Sequence, residues 1–450
     1  MKDISQRVEL SVTGNRKNVS LEQVCGFFPY ICFCKKAFNM EKNDIKNKMR
    51  KCFSKLQGGL FASVTKADVG SGFSDLEKQG VSMMGWADPF YPDPSIPDFL
   101  LKKAVDYIEK GFVSHYTMPI GNEELKKEIA KKLEKENGLK VDPLRNIIIT
   151  PGSDSGLLYA MMPFIDNDDE VLVPDPSYPS NFLNAELLGG KTIRVPLKAD
   201  DNYRIDIDAF ESAVSEHTKM VLLTNPNNPT TTVFLREDLE KLAAFIVKHD
   251  LVCVADQAFE STIFDGREMV TIASLPGMFE RTVTVFSISK GMGLSGFRVG
   301  YLVAPDTIMD VFYGAAVNVL GATNTLSQLV AIEAFKNPSF VDEYNKKHDR
   351  RRKYAYSAFS GIPGVSINMP ESGFMCWLDV SKLGSSADIY SYLIREAKVA
   401  CNDGSSYGNQ GDGHLRLIIG CYWDDNKAFD AIDRMAAALR KLAEEKGIQE

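Results

Sequence analysis

The 450-residue sequence contains no run of apolar residues long enough to cross a bilayer, which requires about 18 or more. Residues 26–35 (GFFPYICFCK) form an apolar stretch, but it is short and contains Pro29, so we expect a buried or interface segment. The first residues, MKDISQRVEL, are charged and lack the apolar core of a signal peptide. These absences predict a protein without a membrane segment.

Cysteines at metal-ligand or disulfide-framework spacing are also missing. The eight cysteines are scattered along the chain, and none forms a C-x-x-C pair. The closest two, Cys32 and Cys34, have no histidine nearby that would complete a metal site. We therefore expect no metal, no compact disulfide framework and a cytoplasmic location.

Basic residues are fewer than acidic residues in this sequence. The 52 Lys and Arg residues against 60 Asp and Glu residues give a formal net charge of −8, which disfavours nucleic acid as a partner. The basic run at residues 350–353 (RRRK) is typical of a solvated helix face. The motifs GxxxxGK[ST], HExxH and GxSxG are absent, so kinase, metalloprotease and serine-hydrolase functions have no support.

The sequence does contain an alternation of short apolar runs and helical stretches. Seven runs are typical of buried strands: 146–150, 170–174, 191–197, 219–225, 251–256, 282–289 and 299–305. Helices fit between most of them, which predicts an α/β fold with a mostly parallel seven-stranded sheet between helices. After His348 a different mixture of strands and helices predicts a smaller α+β domain.

These patterns predict three parts along the chain. Residues 100–345 form the large α/β domain, and residues 81–99 together with 346–450 form the small domain. Residues 1–80 form an N-terminal extension in which we find no functional motif.

Residues 287–301 (SISKGMGLSGFRVGY) carry the clearest chemical signal. They include a G-x-G-x-x-G match to the dinucleotide fingerprint, but no convincing acidic ribose partner follows. Lys290 instead lies at the predicted carboxyl end of a strand, with Ser287 and Ser289 before it and Arg298 after it. An amine, hydroxyls and a guanidinium fork suit a phosphate-bearing cofactor bonded to a lysine.

The pattern S-x-S-K-x-x-x-x-x-G-x-R-x-G-Y resembles the lysine motif of class I/II aminotransferases, which have the aspartate-aminotransferase fold (fold type I) and use pyridoxal 5′-phosphate (PLP). The resemblance extends from about Gly85 to the C-terminus. It implies that Lys290 carries PLP as a Schiff base and that the substrates are an amino acid and a 2-oxo acid. It also implies a homodimer with shared active sites.

Further motifs of that family are found in the same order. Residues 150–156 (TPGSDSG) follow a strand and open a helix, and the resemblance implies that Ser153 and Asp154 hold the phosphate there. Tyr178, in DPSYP, is implied to stack on the pyridine ring. Tyr116, in SHYT, resembles the tyrosine that reaches the phosphate of the neighbouring subunit.

Three positions are implied to surround the pyridine ring. Asn228, in NPNNPT, corresponds to the residue that donates to O3′ of PLP, but Thr231 replaces the usual glycine of that motif, so we expect a different turn. Asp256 ends a predicted strand and is implied to keep the pyridinium nitrogen protonated. Phe259 stands where the family has a tyrosine that contacts O3′.

Arg416, in HLRL, matches the arginine that grips the substrate α-carboxylate, and with Asn228 it is implied to fix the substrate pose. Gly85 and Trp86 resemble the segment that closes over the substrate. The sequence therefore predicts a PLP-dependent aminotransferase. A PLP-dependent β-lyase or decarboxylase on the same fold is the nearest alternative. A PLP-sensing regulator would normally carry a basic DNA-binding segment, which we do not find. If Lys290 is unreactive, a nicotinamide dehydrogenase remains as the alternative function.

Overall fold

The structure is a computed structural model that describes residues 48–54 and 72–449. The chain divides into two units, Met1–Leu56 and Gln57–Glu450. In the first unit the described residues include a short helix, Lys51–Ser54. The apolar stretch at 26–35 and most of the predicted extension lie outside the described residues.

Strands of the second unit, numbered in chain order, include all seven that the sequence predicts. Their bounds are β1 (Ser82–Met83), β2 (Ile147–Thr150), β3 (Glu170–Asp175), β4 (Lys191–Pro196), β5 (Thr218–Thr224), β6 (Val252–Asp256), β7 (Thr282–Ser287), β8 (Gly300–Val303), β9 (Ser366–Ile367), β10 (Met375–Asp379), β11 (Val399–Ala400), β12 (Asn402–Asp403) and β13 (His414–Ile418).

The helices of this unit connect the strands. Their bounds are α1 (Gly72–Lys78), α2 (Asp98–Glu109), α3 (Glu123–Glu136), α4 (Ser153–Met161), α5 (Pro179–Leu188), α6 (Ile207–Ala213), α7 (Arg236–Lys248), α8 (Asp306–Val319), α9 (Thr325–Lys336), α10 (Phe340–Phe359), α11 (Ser386–Glu396) and α12 (Asp425–Glu445). Among the helices that the structure describes, none is both long and apolar enough to cross a membrane.

A seven-stranded sheet with the order β2-β8-β7-β6-β5-β3-β4 forms the centre of this unit. Strand β8 is antiparallel to both of its neighbours, and the other pairs are parallel. Successive residues of β2 face opposite sides of the sheet, since Ile147 and Ile149 pack in one hydrophobic cluster and Ile148 packs in another. The sheet is therefore covered on both faces, which explains its uninterrupted apolar strands. The predicted fold class is confirmed.

A second, antiparallel sheet has the order β12-β13-β10-β9, and β1 pairs in parallel with β11. Helix α10 spans the predicted domain boundary at 345–346 without a break. The division into 81–99 with 346–450 and 100–345 stays a prediction, because the second unit forms one compact body by its contacts.

The basic run at 350–353 is only half solvated, so that prediction is wrong for its two central residues. Arg350 and Lys353 are exposed, whereas Arg351 and Arg352 are fully buried. Buried guanidinium groups require compensation. Arg351 has Asp425 at 2.8 Å and Arg352 has Asp265 at 2.6 Å. Two consecutive positions of α10 face the core, which charge alone does not reveal.

The turn after β5 keeps a glycine-like backbone, contrary to our expectation of a different turn. Thr231, at the usual glycine position, has a φ of +66°. Its N–H donates to the Asn227 carbonyl at 2.9 Å, and its carbonyl accepts from Ser372 Oγ at 2.7 Å. A β-branched residue with positive φ costs roughly 1–3 kcal/mol, so the turn is strained and held by its neighbours.

We predict that Thr231→Gly raises the stability of the protein. Release of the strain outweighs the greater freedom of glycine in the unfolded chain, for a net gain of roughly 1 kcal/mol. Thermal unfolding of the wild type and the variant measures the change. Thr192→Gly, in the ordinary backbone of β4, is the matched control and should lower the Tm. If both variants lose stability equally, Thr231 is not strained.

Candidate active site

Side chains that could react or bind a ligand lie where the parallel strands of the large sheet end. Gly152 follows β2, Tyr178 follows β3, Asn228 follows β5, Asp256 ends β6 and Lys290 follows β7. The carboxyl ends of parallel strands meet at one edge of a sheet, which is where open α/β folds bind their ligands. The register of the strands aligns these positions, since Thr224 at the end of β5 pairs with Asp256.

Lys290 is a partly buried amine with both acidic and basic side chains around it. Burial lowers the pKa of its ammonium group and is the largest cause of the shift. The carboxylates of Asp154 and Asp88 oppose this shift. The guanidinium groups of Arg416 and Arg298 act in the same direction as burial. A lysine with a lowered pKa supplies more of the neutral amine, the form that attacks a carbonyl carbon.

Asp256 is a carboxylic acid with only 5% of its surface exposed. Burial raises its pKa to about 7; the N–H of Ala258, which donates to Oδ1 at 3.1 Å, acts against that rise. The charge of Asp154 adds to the rise, and Lys290 opposes it. A buried carboxylate is costly without a cation, so this position suits a group that brings a positive charge, such as a pyridinium.

An anion site lies where β2 leads into α4. Gly152 has a φ of +88°, and a Cβ at this position would lie 2.3 Å from Nη2 of Arg298, so the guanidinium packs directly on the turn. The first N–H groups of α4, at Ser153 and Asp154, have no carbonyl partner within the helix. These N–H groups, the helix dipole and Arg298 together fit a phosphate.

Two serines adjoin this anion site. The Ser289 hydroxyl accepts from Arg298 at 3.4 Å, and the Ser287 hydroxyl accepts from the N–H of Ser289 at 3.1 Å. The side chain of Asp154 departs from this pattern, because a carboxylate repels a phosphate. For Asp154, therefore, only the backbone N–H suits the predicted role.

Arg416 is a buried guanidinium that is held entirely by uncharged groups. It is 2% exposed, and its Nη1 donates to Asn228 Oδ1 at 3.1 Å. Its Nη2 donates to the Gly85 carbonyl at 3.1 Å, and Asn402 Oδ1 accepts from Nε at 3.0 Å and from Nη2 at 2.8 Å. Its Cζ lies 4.9 Å from the ring centre of Tyr407. Among the described residues, no carboxylate lies within ion-pair distance of it.

The buried arginines of α10 show the ordinary alternative, since Arg351 and Arg352 each have an aspartate partner. Their charges are neutralised, and their role is structural. Arg416 lacks such a partner within the described part of the chain, so its charge is available to an incoming carboxylate. Asn402 is the residue that sequence reasoning missed, because no motif links it to Arg416.

Residues 85–88 lie against both cationic groups of the site. The carbonyl of Ala87 accepts from Lys290 Nζ at 2.5 Å, and Asp88 accepts a hydrogen bond from the Ser295 hydroxyl. Trp86 packs on Tyr91 with ring centres 4.9 Å apart. This position agrees with a segment that covers the substrate.

Three predicted residues lie apart from this arrangement or at its margin. Phe259 is buried in a hydrophobic cluster, with its ring centre 5.5 Å from that of Phe374. Tyr116 is 96% exposed on the surface. Tyr178 caps the N-terminus of α5. Their predicted roles toward the cofactor stay predictions.

The fold and the site together define a fold type I transferase, the aspartate-aminotransferase fold. The solved structure of an aromatic aminotransferase from Pyrococcus horikoshii OT3 matches it with a TM-score of 0.76 at 30% sequence identity, covering 83% of this chain and 99% of that one. The family described as "Aminotransferase class I and II" matches residues 82–434. The chain belongs to this family, and the predicted resemblance is confirmed.

Two relatives extend the comparison. An aromatic-amino-acid aminotransferase 2 of Thermococcus litoralis is 32% identical over 369 residues, which cover 81% of this chain and 92% of that protein. An aspartate aminotransferase of Pyrococcus abyssi is 32% identical over 380 residues, which cover 83% of this chain and 94% of that protein. The protein is a transaminase, and the β-lyase and decarboxylase alternatives are not favoured.

We predict that Asp256→Asn changes how the stability of the cofactor-free protein depends on pH. The folded state raises the Asp256 pKa from 3.8 to about 7, so it disfavours the carboxylate. Stability is therefore lost as pH rises between these two values, by up to about 1.4 kcal/mol per pH unit, and the loss is complete above them. The amide has no such loss. Accordingly, the Tm of the wild type should fall relative to that of the variant as pH rises from 5 to 7.

Thermal unfolding of both cofactor-free proteins across this pH range checks the prediction. The exposed Asp200→Asn variant is the control and should follow the wild type. Parallel profiles for wild type and Asp256→Asn would mean that the carboxylate has a partner that compensates its burial.

Proposed function

We propose that this aminotransferase uses PLP bound covalently to Lys290 to exchange an amino group between an L-amino acid and a 2-oxo acid. The observation that carries the proposal is one partly buried amine whose pKa responds both to Arg298, at the candidate anion site, and to Arg416, which has no carboxylate partner in the described part of the chain. A phosphorylated aldehyde and an amino acid carboxylate fit these two flanking groups.

The residues that would hold PLP follow from the contacts described above. Those for the phosphate are Ser153, the backbone of Asp154, Ser287, Ser289 and Arg298. Those for the ring are Asn228 and Asp256, and Tyr178 is proposed for the ring face from its motif alone. Phe259 stands at the position of the family's tyrosine and has no hydroxyl to contact O3′. When bound, PLP supplies an aldehyde carbon for an amine and a ring that accepts an electron pair from the substrate.

Three side chains of the protein then have separate roles in the reaction. Arg416 binds the α-carboxylate of the amino acid and fixes its orientation, and Asn228 holds Nη1 of that arginine in place. Lys290 Nζ takes the proton from the substrate Cα and returns a proton as general acid. Asp256 holds a proton on the ring nitrogen, because its buried carboxylate is stabilised by a positive partner.

Acidic and aromatic amino acids are the substrates that we propose to examine first. This choice rests on the relatives, since one that is 32% identical is named for aromatic amino acids and another for aspartate. Half-reactions with aspartate, phenylalanine and tyrosine, followed by the absorbance of the cofactor, would rank them.

We predict that Lys290→Ala abolishes turnover and the covalent link while PLP still binds. The anion site and Asp256 remain in this variant, so noncovalent affinity persists. Borohydride reduction of the wild type, followed by peptide mass spectrometry, should find the pyridoxyl group on Lys290. A label on another lysine would overturn the assignment.

We also propose a homodimer, which is supported by an exposed apolar surface. Leu101, Val105 and Ile108 are exposed three and four residues apart, on one face of α2. Phe112 and Tyr116 continue the exposed surface beyond the helix. Apolar patches of this kind mark protein interfaces. Tyr116 would then contribute to the active site of the partner subunit.

We also propose a cytoplasmic location, which the scattered cysteines predict.

Mixing inactive Lys290→Ala subunits with inactive Tyr116→Ala subunits should restore activity. Half of the dimers are then mixed, and each contains one complete site, so we expect about a quarter of the wild-type activity. Lys290→Ala mixed with Asp256→Asn is the control. It should stay inactive, because both residues serve the same site from one chain. Mixed dimers that form but remain inactive would contradict the shared site.

A further inference from the structure

We propose that Asn402 is a positioning residue that holds Arg416 through a neutral amide and so leaves its charge for the substrate carboxylate. This inference deepens the proposed function and rests on it, because it assumes that Arg416 binds the substrate.

Asn402 and Arg416 are direct neighbours on adjacent strands. They form a register pair between β12 and β13, and Asn402 is 3% exposed. One amide oxygen accepts from both Nε and Nη2 of the guanidinium, at 3.0 and 2.8 Å. Asn402 therefore occupies the Nε–Nη2 edge of the guanidinium. Four of the five guanidinium N–H groups then have acceptors, and the one left is on Nη1, beside Asn228. A carboxylate that accepts from both Nη1 and Nη2 must therefore replace the Gly85 carbonyl on Nη2.

The amide also lies against the segment at Gly85. A Cβ on Gly85 would lie 3.1 Å from Asn402 Nδ2 and 2.9 Å from the Cys401 carbonyl. Asn402 thus packs against the backbone of Gly85 while its oxygen holds Arg416. One side chain therefore contacts both the arginine and this segment.

The neutrality of Asn402 is the informative feature. Aspartate has the same shape and would hold a buried guanidinium by a charge-assisted hydrogen bond, as Asp425 holds Arg351. An aspartate at 402 would, however, neutralise Arg416 and compete with the substrate carboxylate. The amide gives the same geometry without that competition.

The test compares Asn402→Asp with Asn402→Leu in the PLP-loaded enzyme. Titration calorimetry gives the Kd of succinate and of 3-phenylpropanoate, two carboxylates without an amino group. We expect Asn402→Asp to raise the Kd of the better-bound probe by about tenfold or more, because a like charge beside the site opposes the ligand. The KM for the amino acid should rise more than kcat falls. PLP affinity should change by no more than about threefold, since Asn402 does not adjoin the anion site.

Asn402→Leu removes the acceptor but adds no charge, so we expect a smaller rise in the same Kd than for Asn402→Asp. A purely structural role predicts the reverse order, because aspartate keeps both hydrogen bonds and leucine keeps neither. Asn146→Asp, at the start of β2 and far from the carboxyl edge, is the matched control for burying a carboxylate. It should leave the Kd of both probes unchanged.

Arg416→Ala separates the two levels of the proposal. If it weakens the carboxylate probes while Asn402→Asp binds them as the wild type does, the Asn402 proposal is overturned and the role of Arg416 stands. If Arg416→Ala also binds the probes normally, both proposals are overturned. Equal losses of PLP and carboxylate affinity in both Asn402 variants would likewise show a structural residue.

Discussion

Burial of charge without a permanent counter-charge is the constraint around which this active site is organised. Asp256 and Lys290 lie at the carboxyl edge of the large sheet, and Arg416 of β13 contacts Asn228 at the same edge. Burial raises the pKa of the Asp256 carboxyl and lowers that of the Lys290 ammonium, so the charged form of each group lowers the stability of the fold until a ligand of opposite charge binds. Amides, a carbonyl and an aromatic ring surround Arg416, and none of them neutralises its charge. The site thereby selects a cofactor and a substrate that bring the missing charges.

Backbone hydrogen bonds between the end of β3 and residues 407–410 hold the site rigidly. Asp175, at the end of β3, accepts from the N–H groups of Asn409 and Gln410 at 2.7 and 3.1 Å. The N–H of Ser177 donates to the carbonyl of Tyr407 at 2.8 Å. Tyr407 lies under Arg416, so the strand that leads to Tyr178 also supports the substrate arginine. The residues proposed to hold the cofactor ring and the substrate carboxylate are therefore connected through one short stretch of backbone, as precise orientation requires.

Where sequence reasoning failed, the reason was burial. The basic run on α10 gives no indication that Arg351 and Arg352 face inward. Asp349 lies only three residues from Arg352, but Asp425 and Asp265, which these arginines also contact, lie 74 and 87 residues away. Thr231 breaks the family pattern, yet the turn persists, since contacts such as that from Ser372 hold a backbone that threonine disfavours. In both cases tertiary contacts overrode a local preference.

Local signals in the sequence were enough for the seven strands, their mostly parallel arrangement and the lysine motif around Lys290. Apolar runs and short motifs are properties of neighbouring residues, and the carboxyl ends of parallel strands must meet. The contacts of Arg416 were beyond such local signals: the family resemblance placed Asn228 and Gly85 in the same site, but nothing in the sequence indicated Asn402. Asn402, Asn228 and Gly85 are 14, 188 and 331 residues from it, and none belongs to its motif. Whether a buried charge is neutralised depends on contacts between distant segments, and these exist only once the chain has folded.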